Sequence, residues 1–157
     1  MKIHLCITIG APVERVWRAV EDISTHTEWM ADAESITFVT DQRSGVGTEF
    51  DCLTRVGPLS TVDRMRITEW EPEAVMGIEH RGLVTGSGRF TLRASGGEFT
   101  EFCWDEDLHF PVWMGGAIGE RAGRPVLMRI WRANLGRLRA LAESSPLPPE
   151  IRALEFE

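Results

Sequence analysis

The stretch FTEFCWDEDLHFPVWMGG, residues 99–116, sets Asp105, Glu106 and Asp107 directly after Trp104 and just before Leu108 and Phe110. Three adjacent acids could form a metal cluster, an acid–base site or a charged face. Strand alternation separates them, because successive side chains point to opposite faces. Phe102, Trp104, Glu106, Leu108 and Phe110 fall on one side; Glu101, Cys103, Asp105, Asp107 and His109 fall on the other. The aromatic side is the one to face an interior, so Glu106 is expected inward and both aspartates outward. Asp105, Asp107 and His109 are spaced about 7 Å apart in succession, too far to hold one ion unaided. They read as a solvated charged face.

The preceding strand supplies a partner for Glu106. A three-residue loop at Gly96-Gly97-Glu98 pairs Arg93 with Glu101, Arg89 with Asp105, Leu92 with Phe102 and Phe90 with Trp104. The two opposite-charge pairs contribute roughly 0.2–1 kcal/mol each, and a one-residue slip would mix the faces. One strand further back, a loop across 82–86 pairs Glu79 with Arg89 and Ile78 with Phe90. The expected outer row is then Glu79–Arg89–Asp105, and the inner row His80–Gly88–Glu106. Across a residue without a side chain, His80 and Glu106 could converge. A carboxylate facing an apolar cavity is costly to charge, and a histidine beside it can share its proton. Such a pair suits general acid–base work; it equally suits orienting a ligand, or satisfying itself in the core.

These residues need elements to hold them. Ile3, Leu5, Ile7 and Ile9 alternate with polar residues as in a half-buried strand. Pro12 fits a first helical turn, and Val13, Val16, Trp17 and Val20 then share one helical face. STHTEWM reads as a second short helix, with Thr25 and Glu28 at capping-box spacing. Period-two patterning follows over 33–40, 48–56, 61–70, 74–81, 86–94 and 99–110, broken by glycine and proline. Short connections favour an antiparallel meander. Leu127, Ile130, Trp131, Asn134, Leu135 and Leu138 then form an apolar stripe on a long helix expected to start near Pro125, after a looser GGAIGERAG. The domain is expected to span 1–143, with 144–157 a tail. A curved six- or seven-stranded sheet and a long helix, an α+β arrangement, leave a gap between them that suits a ligand.

Bulk properties narrow the function. A chain of 157 residues suits one domain, and 26% charged and 43% hydrophobic residues are an ordinary globular balance. A net charge of −7 argues against nucleic acid or anionic lipid as the main partner. Cys6, Cys52 and Cys103 are far apart with no C-x-x-C pair, so buried thiols are expected rather than zinc or disulfides. With no signal-peptide pattern and no apolar run near about 18 residues, the expectation is a cytoplasmic protein without stable membrane anchoring. The glycine clusters make no strand-to-helix G-x-G-x-x-G and no serine sits in G-x-S-x-G, so no cofactor and no hydrolase triad are expected.

ITIGAPVERVWRAVEDISTHTEWM, GVGTEF, ITEWEP, GSGRFTL and RANLGRLRALAE, in this order over about residues 3–143, resemble the SRPBCC superfamily. This is the START and birch-pollen-allergen helix-grip group, and the likeness is strongest to its bacterial polyketide cyclase/dehydrase branch. The resemblance implies a deep apolar cavity under the long helix, beside the two short helices already expected after strand 1. Its members include aromatase/cyclases and carriers of lipids and hormones, and the family has no universal catalytic motif to carry over.

Trp29, Met30, Phe90, Trp104, Phe110, Trp113, Met114, Met128 and Trp131 are the candidate apolar wall, with Asn134 to meet a ligand oxygen or to be capped in the core. Trp113-Met114-Gly115-Gly116 is the candidate gate, and His26 is expected at the surface near the cavity mouth. Two readings follow. One is a cofactor-independent polyketide cyclase or dehydratase using His80 and Glu106. The other is a carrier or sensor for a lipid-like or aromatic molecule. A helper protein forming a homodimer through a sheet edge or the tail is a third.

Overall fold

The computed structural model describes residues 1–144. Strand β1 (Lys2–Ile9) buries Ile3, Leu5 and Ile9 as its alternation requires. Helix α1 (Val13–Glu21) buries Val16, Trp17 and Val20 on one face. A 3-10 turn, Ile23–Glu28, takes the place of the second short helix. Its cap is Asp22, whose carboxylate accepts the Ser24 N–H at 3.0 Å. Thr25 instead donates its hydroxyl to the Asp22 carbonyl, so the capping-box reading is set aside.

Six strands follow: β2 (Ala33–Phe38), β3 (Glu49–Val56), β4 (Leu59–Glu71), β5 (Val75–Arg81), β6 (Thr85–Ala94) and β7 (Thr100–His109). They form one antiparallel sheet in the order β1-β7-β6-β5-β4-β3-β2. A 3-10 turn at Val112–Met114 leads into helix α2 (Gly116–Ser144). The sheet curls round α2, which gives the expected α+β helix-grip architecture. The core between them is sealed by residues such as Ile9, Val16, Ile67, Phe102 and Leu138. Among the described residues no helix is long and apolar enough to cross a membrane.

The long helix starts nine residues before Pro125, which lies inside it. The glycine-rich segment is helical because neighbours hold it. Glu120 accepts the Phe110 N–H at 2.9 Å. Gly119 lets the helix lie against the Met114 carbonyl, where a Cβ would intrude, and Gly123 lies beside the Phe110 ring. A missing amide at Pro125 is affordable under such tertiary support. Helix α2 is described as far as Ser144; the rest of the expected tail lies outside the described residues.

The β6–β7 register is the expected one, with Arg93 opposite Glu101, Arg89 opposite Asp105, Leu92 opposite Phe102 and Phe90 opposite Trp104. The β5–β6 register differs by two residues. Gly82-Leu83-Val84 alone make the loop, so Ile78 faces Gly88, Gly77 faces Arg89 and His80 faces Gly86. An even shift keeps every side chain on its expected face. The expected Glu79–Arg89–Asp105 ladder therefore does not form. A β-bulge between Ile67 and Glu69 brings Glu69 opposite Gly77, and its carboxylate accepts Arg89 Nε–H at 3.2 Å. Glu79 takes Arg81 instead, and Asp105 takes His4.

The cysteines correct a second expectation. Cys6 and Cys103 face each other across β1 and β7 on the outer side of the sheet and are joined by a disulfide. Their Cα atoms are 4.1 Å apart. Sequence spacing hid this because antiparallel pairing joins residues 97 positions apart. Cys52 is a free, buried thiol, the state expected of all three.

Candidate functional site

A cavity of about 370 Å³ lies between the sheet and α2, within the usual range for small-molecule sites. Aliphatic and aromatic side chains dominate its wall. Of the residues expected there, Met30, Phe90, Trp104, Phe110, Met114 and Trp131 line it, together with His80 and Glu106. Trp104 is the hub of the aromatic wall: it stacks on Trp131 at 4.9 Å between centroids and meets Phe90 edge-on at 5.3 Å.

The other expected residues lie elsewhere. Trp29 is fully buried behind the wall, edge-on to Trp104. Met128 packs against the core without reaching the cavity. Trp113 is 69% exposed, on the outer side of the turn whose Met114 points inward. Asn134 is fully buried, with both its amide oxygen and its amide nitrogen engaged. It donates to Asp32 at 2.6 Å and accepts from the Ala31 N–H and from Arg137. It fastens α2 to the turn before β2, aided by the Trp131 indole N–H on Asp32. Its second expected role, the capped core group, is the one its geometry matches.

His80 and Glu106 meet. Although Gly86 rather than Gly88 is the direct neighbour of His80, the ring reaches diagonally over bare backbone to the carboxylate. His80 Nε2 is 3.2 Å from Glu106 Oε2, with both side chains under a tenth exposed. Glu106 Oε1 accepts the Trp104 indole N–H at 2.8 Å. Gly88 lies directly beneath the carboxylate; a Cβ there would stand 2.8 Å from Glu106 Cδ. Oε1 is thus held by the Trp104 indole and Oε2 lies within hydrogen-bond distance of the imidazole, so the carboxylate is fixed in place. Burial pulls the His80 pKa down, but the hydrogen bond and charge of Glu106, with Asp63 behind, outweigh it and hold it above the usual histidine value. His80 Nδ1 is buried and has no hydrogen-bond partner among the described residues.

Two further polar groups reach the wall. Asp63, on β4, is buried, and burial raises its pKa against the opposing pull of the Val84 N–H and His80. The alternation Thr61, Asp63, Met65, Ile67 carries it on the inner row, a signal that was readable but not used. His26, expected at the surface, is 6% exposed and lines the cavity. Its Nε2–H donates to the Val20 carbonyl at 2.7 Å, and its ring packs on Trp29 and Phe90. The 3-10 turn is tighter than an α-helix and rotates His26 inward.

Burial lowers the His26 pKa to about 4, partly offset by the Val20 bond and the Asp22 charge. Between the ordinary histidine value of 6.5 and about 4, the unfolded chain binds a proton that the folded chain refuses. The stability present above that window is lost as pH falls through it, by about 3 kcal/mol from this group. His80, raised rather than lowered, contributes with the opposite sign: its share is full at low pH and is lost as pH rises through its folded value. Urea titrations of wild type and His26→Gln at about pH 7 and about pH 4.5 are expected to converge at the acid end. Parallel curves would place His26 outside the core.

Known proteins resemble this chain throughout. The family model described as polyketide cyclase/dehydrase and lipid transport matches residues 1–143. The Zhui aromatase/cyclase from Streptomyces sp. R1128 superposes with a TM-score of 0.75 at 16% identity, covering 91% of this chain and 93% of that one. A conserved protein from Geobacillus kaustophilus gives 0.73 at 16% identity, with 92% and 97% covered. The two-domain aromatase/cyclase BexL of the BE-7585A biosynthetic pathway gives 0.71 at 16% identity, covering 93% of this chain and 51% of that one. No curated protein matches closely enough to count as a relative. At these identities the solved structures speak for the fold, and the family model for descent: the chain belongs to the polyketide cyclase/dehydrase and lipid-transport family.

Proposed function

We propose that this protein binds a small, largely apolar, oxygenated molecule in its cavity and performs acid–base chemistry on it, of the kind that cyclises or dehydrates a polyketone. The observation that carries this reading is the His80–Glu106 pair: a buried imidazole held on one nitrogen by an anchored carboxylate, with its other nitrogen unpartnered. In an apolar cavity such a nitrogen is suited to a ligand oxygen.

The chemistry follows from the geometry. Protonated on both nitrogens, His80 donates from Nδ1 to a ketone oxygen and polarises it. As an enol elsewhere on the same substrate attacks that carbon, the Nδ1 proton moves to the ketone oxygen to make a hydroxyl, and the freed nitrogen then takes the proton released by the enol. For dehydration the same group protonates the departing hydroxyl, and its freed nitrogen takes the proton lost from the neighbouring carbon as the double bond forms and water leaves. Glu106 stabilises the imidazolium and orients its ring; Trp104 fixes Glu106. The apolar wall folds the substrate so that its reacting carbons approach.

The second reading, carriage without turnover, draws on the largely apolar wall and on the transport half of the family description. Incubation with a linear aryl poly-β-ketone separates the two. The enzyme reading expects a cyclic product that has lost water, formed faster than in buffer. Unchanged polyketone recovered in complex with the protein would support the carrier.

Met114 touches the cavity from a turn that ends in Gly115 and Gly116, both at positive φ, so this corner is the proposed gate. Ligand binding is expected to slow amide hydrogen exchange across 112–119 at least about tenfold, since such opening is local and costs little without ligand. Equal exchange with and without ligand would move the entrance elsewhere.

A further inference from the structure

On the outer face of the sheet, four side chains of β1 and β7 form a two-by-two block. Cys6 stands opposite Cys103 and His4 opposite Asp105. His4 Nε2 lies 3.2 Å from Cys6 Sγ, while its Nδ1 is held at 2.5 Å by Asp105 Oδ1. The ligand atoms of His4, Cys6 and Cys103 all fall within 4.8 Å of one another. None of these residues touches the interior cavity.

We propose that the reduced form of this block is a redox-gated site for a thiophilic divalent cation, zinc by preference, bound by the Cys6 and Cys103 thiolates and His4 Nε2. A tetrahedral zinc holds sulfur at about 2.3 Å and nitrogen at about 2.0–2.1 Å, so its ligand atoms sit roughly 3.3–3.8 Å apart. Two cysteines whose Cα atoms are 4.1 Å apart reach that sulfur separation once the bond between them is cut. Soft thiolates with one imidazole select zinc over the hard cations. Asp105 completes a carboxylate–histidine–metal relay, which fixes the His4 tautomer so that Nε2 presents its lone pair. The fourth position opens to solvent, as His4 and Cys6 are exposed.

Sulfur chemistry gates the site. A dithiol gives two electrons and two protons to the Cys6–Cys103 bond and leaves as its own disulfide. Zinc then displaces both protons. In the reverse direction a small-molecule disulfide takes two electrons from the thiolates and, with two protons, becomes two thiols; the Cys6–Cys103 bond reforms and zinc departs. The same two sulfurs cannot serve both states, so metal and disulfide exclude each other.

The test uses the full chain, reduced with a phosphine and then freed of it, and titrated with Zn2+ or Co2+ alone. The reduced protein is expected to bind one metal ion per chain, and the oxidised protein none. Co2+ is expected to give thiolate charge-transfer absorption with the visible bands of a tetrahedral site. Cys6→Ser and Cys103→Ser each abolish that spectrum, Cys52→Ala keeps it, and Asp105→Asn weakens binding about 10–100-fold. On the unaltered sequence, zinc is expected to protect Cys6 and Cys103 from iodoacetamide. No protection, a cobalt spectrum that survives Cys6→Ser, or equal binding by the oxidised protein would each overturn the site.

Discussion

Gly86→Ala destabilises the protein by about 3–5 kcal/mol, a large part of the 5–15 kcal/mol that holds a domain together. Gly86 sits at φ +142°, where L side chains are strained. A Cβ there would run into the Asp107 carbonyl, standing 2.9 Å from its carbon and 3.1 Å from Leu108 Cα. Those atoms belong to β7 and are pinned by the ladder on both sides, so they cannot yield cheaply. Gly88→Ala makes the informative contrast. Its Cβ meets only the end of the Glu106 side chain, which can swing away, so the cost is expected below about 1.5 kcal/mol. Urea denaturation of the two variants gives the comparison. A Gly86→Ala midpoint equal to wild type would show that β6 and β7 do not approach so closely there.

Glu106→Gln is expected to lower turnover of a poly-β-ketone by about 10²–10⁴, while binding of an apolar fluorescent probe changes less than about threefold. The glutamine oxygen can still accept the Trp104 N–H, but the amide now donates to His80 Nε2. That leaves a neutral ring with its one proton on Nδ1, and the stabilised imidazolium is gone. Because the amide nearly matches the carboxylate in size, the cavity shape is kept. Gly88→Ala gives an independent route to the same loss, since it pushes the carboxylate off His80 without altering either group. If both variants turn over substrate like wild type, the pair is a structural contact and the carrier reading gains.

The sequence showed the helix-grip plan because each element carried its own period. The same held for β7, where an aromatic row beside an acidic row leaves one register. It failed where three-dimensional pairing decides. The β5–β6 loop was short by two residues, and glycines at 82, 86 and 88 allow either length. His80 and Glu106 still met, because a two-residue slip conserves faces and the ring is long enough to reach diagonally. Asn134 was ambiguous because an amide on an apolar stripe looks the same whether its partner is Asp32 or a ligand. His26 depended on the twist of one 3-10 turn. Cys6 and Cys103 looked unrelated because linear spacing is blind to the closure of β1 on β7.

That closure also orders events in time. Strands β3 to β7 are joined by short turns and can zip locally, but β1 precedes them in chain order and, among the described residues, pairs only with β7. Its docking closes a loop of about a hundred residues, which is slow compared with hairpin formation. Until β7 emerges, Ile3, Leu5, Ile7 and Ile9 lack their sheet partner, and the row is a sticky edge. The two cysteines lie midway along this final seam. Register brings their sulfurs within bonding distance, so when refolding starts from the reduced chain the rate of their bond formation reports on the arrival of β1 at the seam.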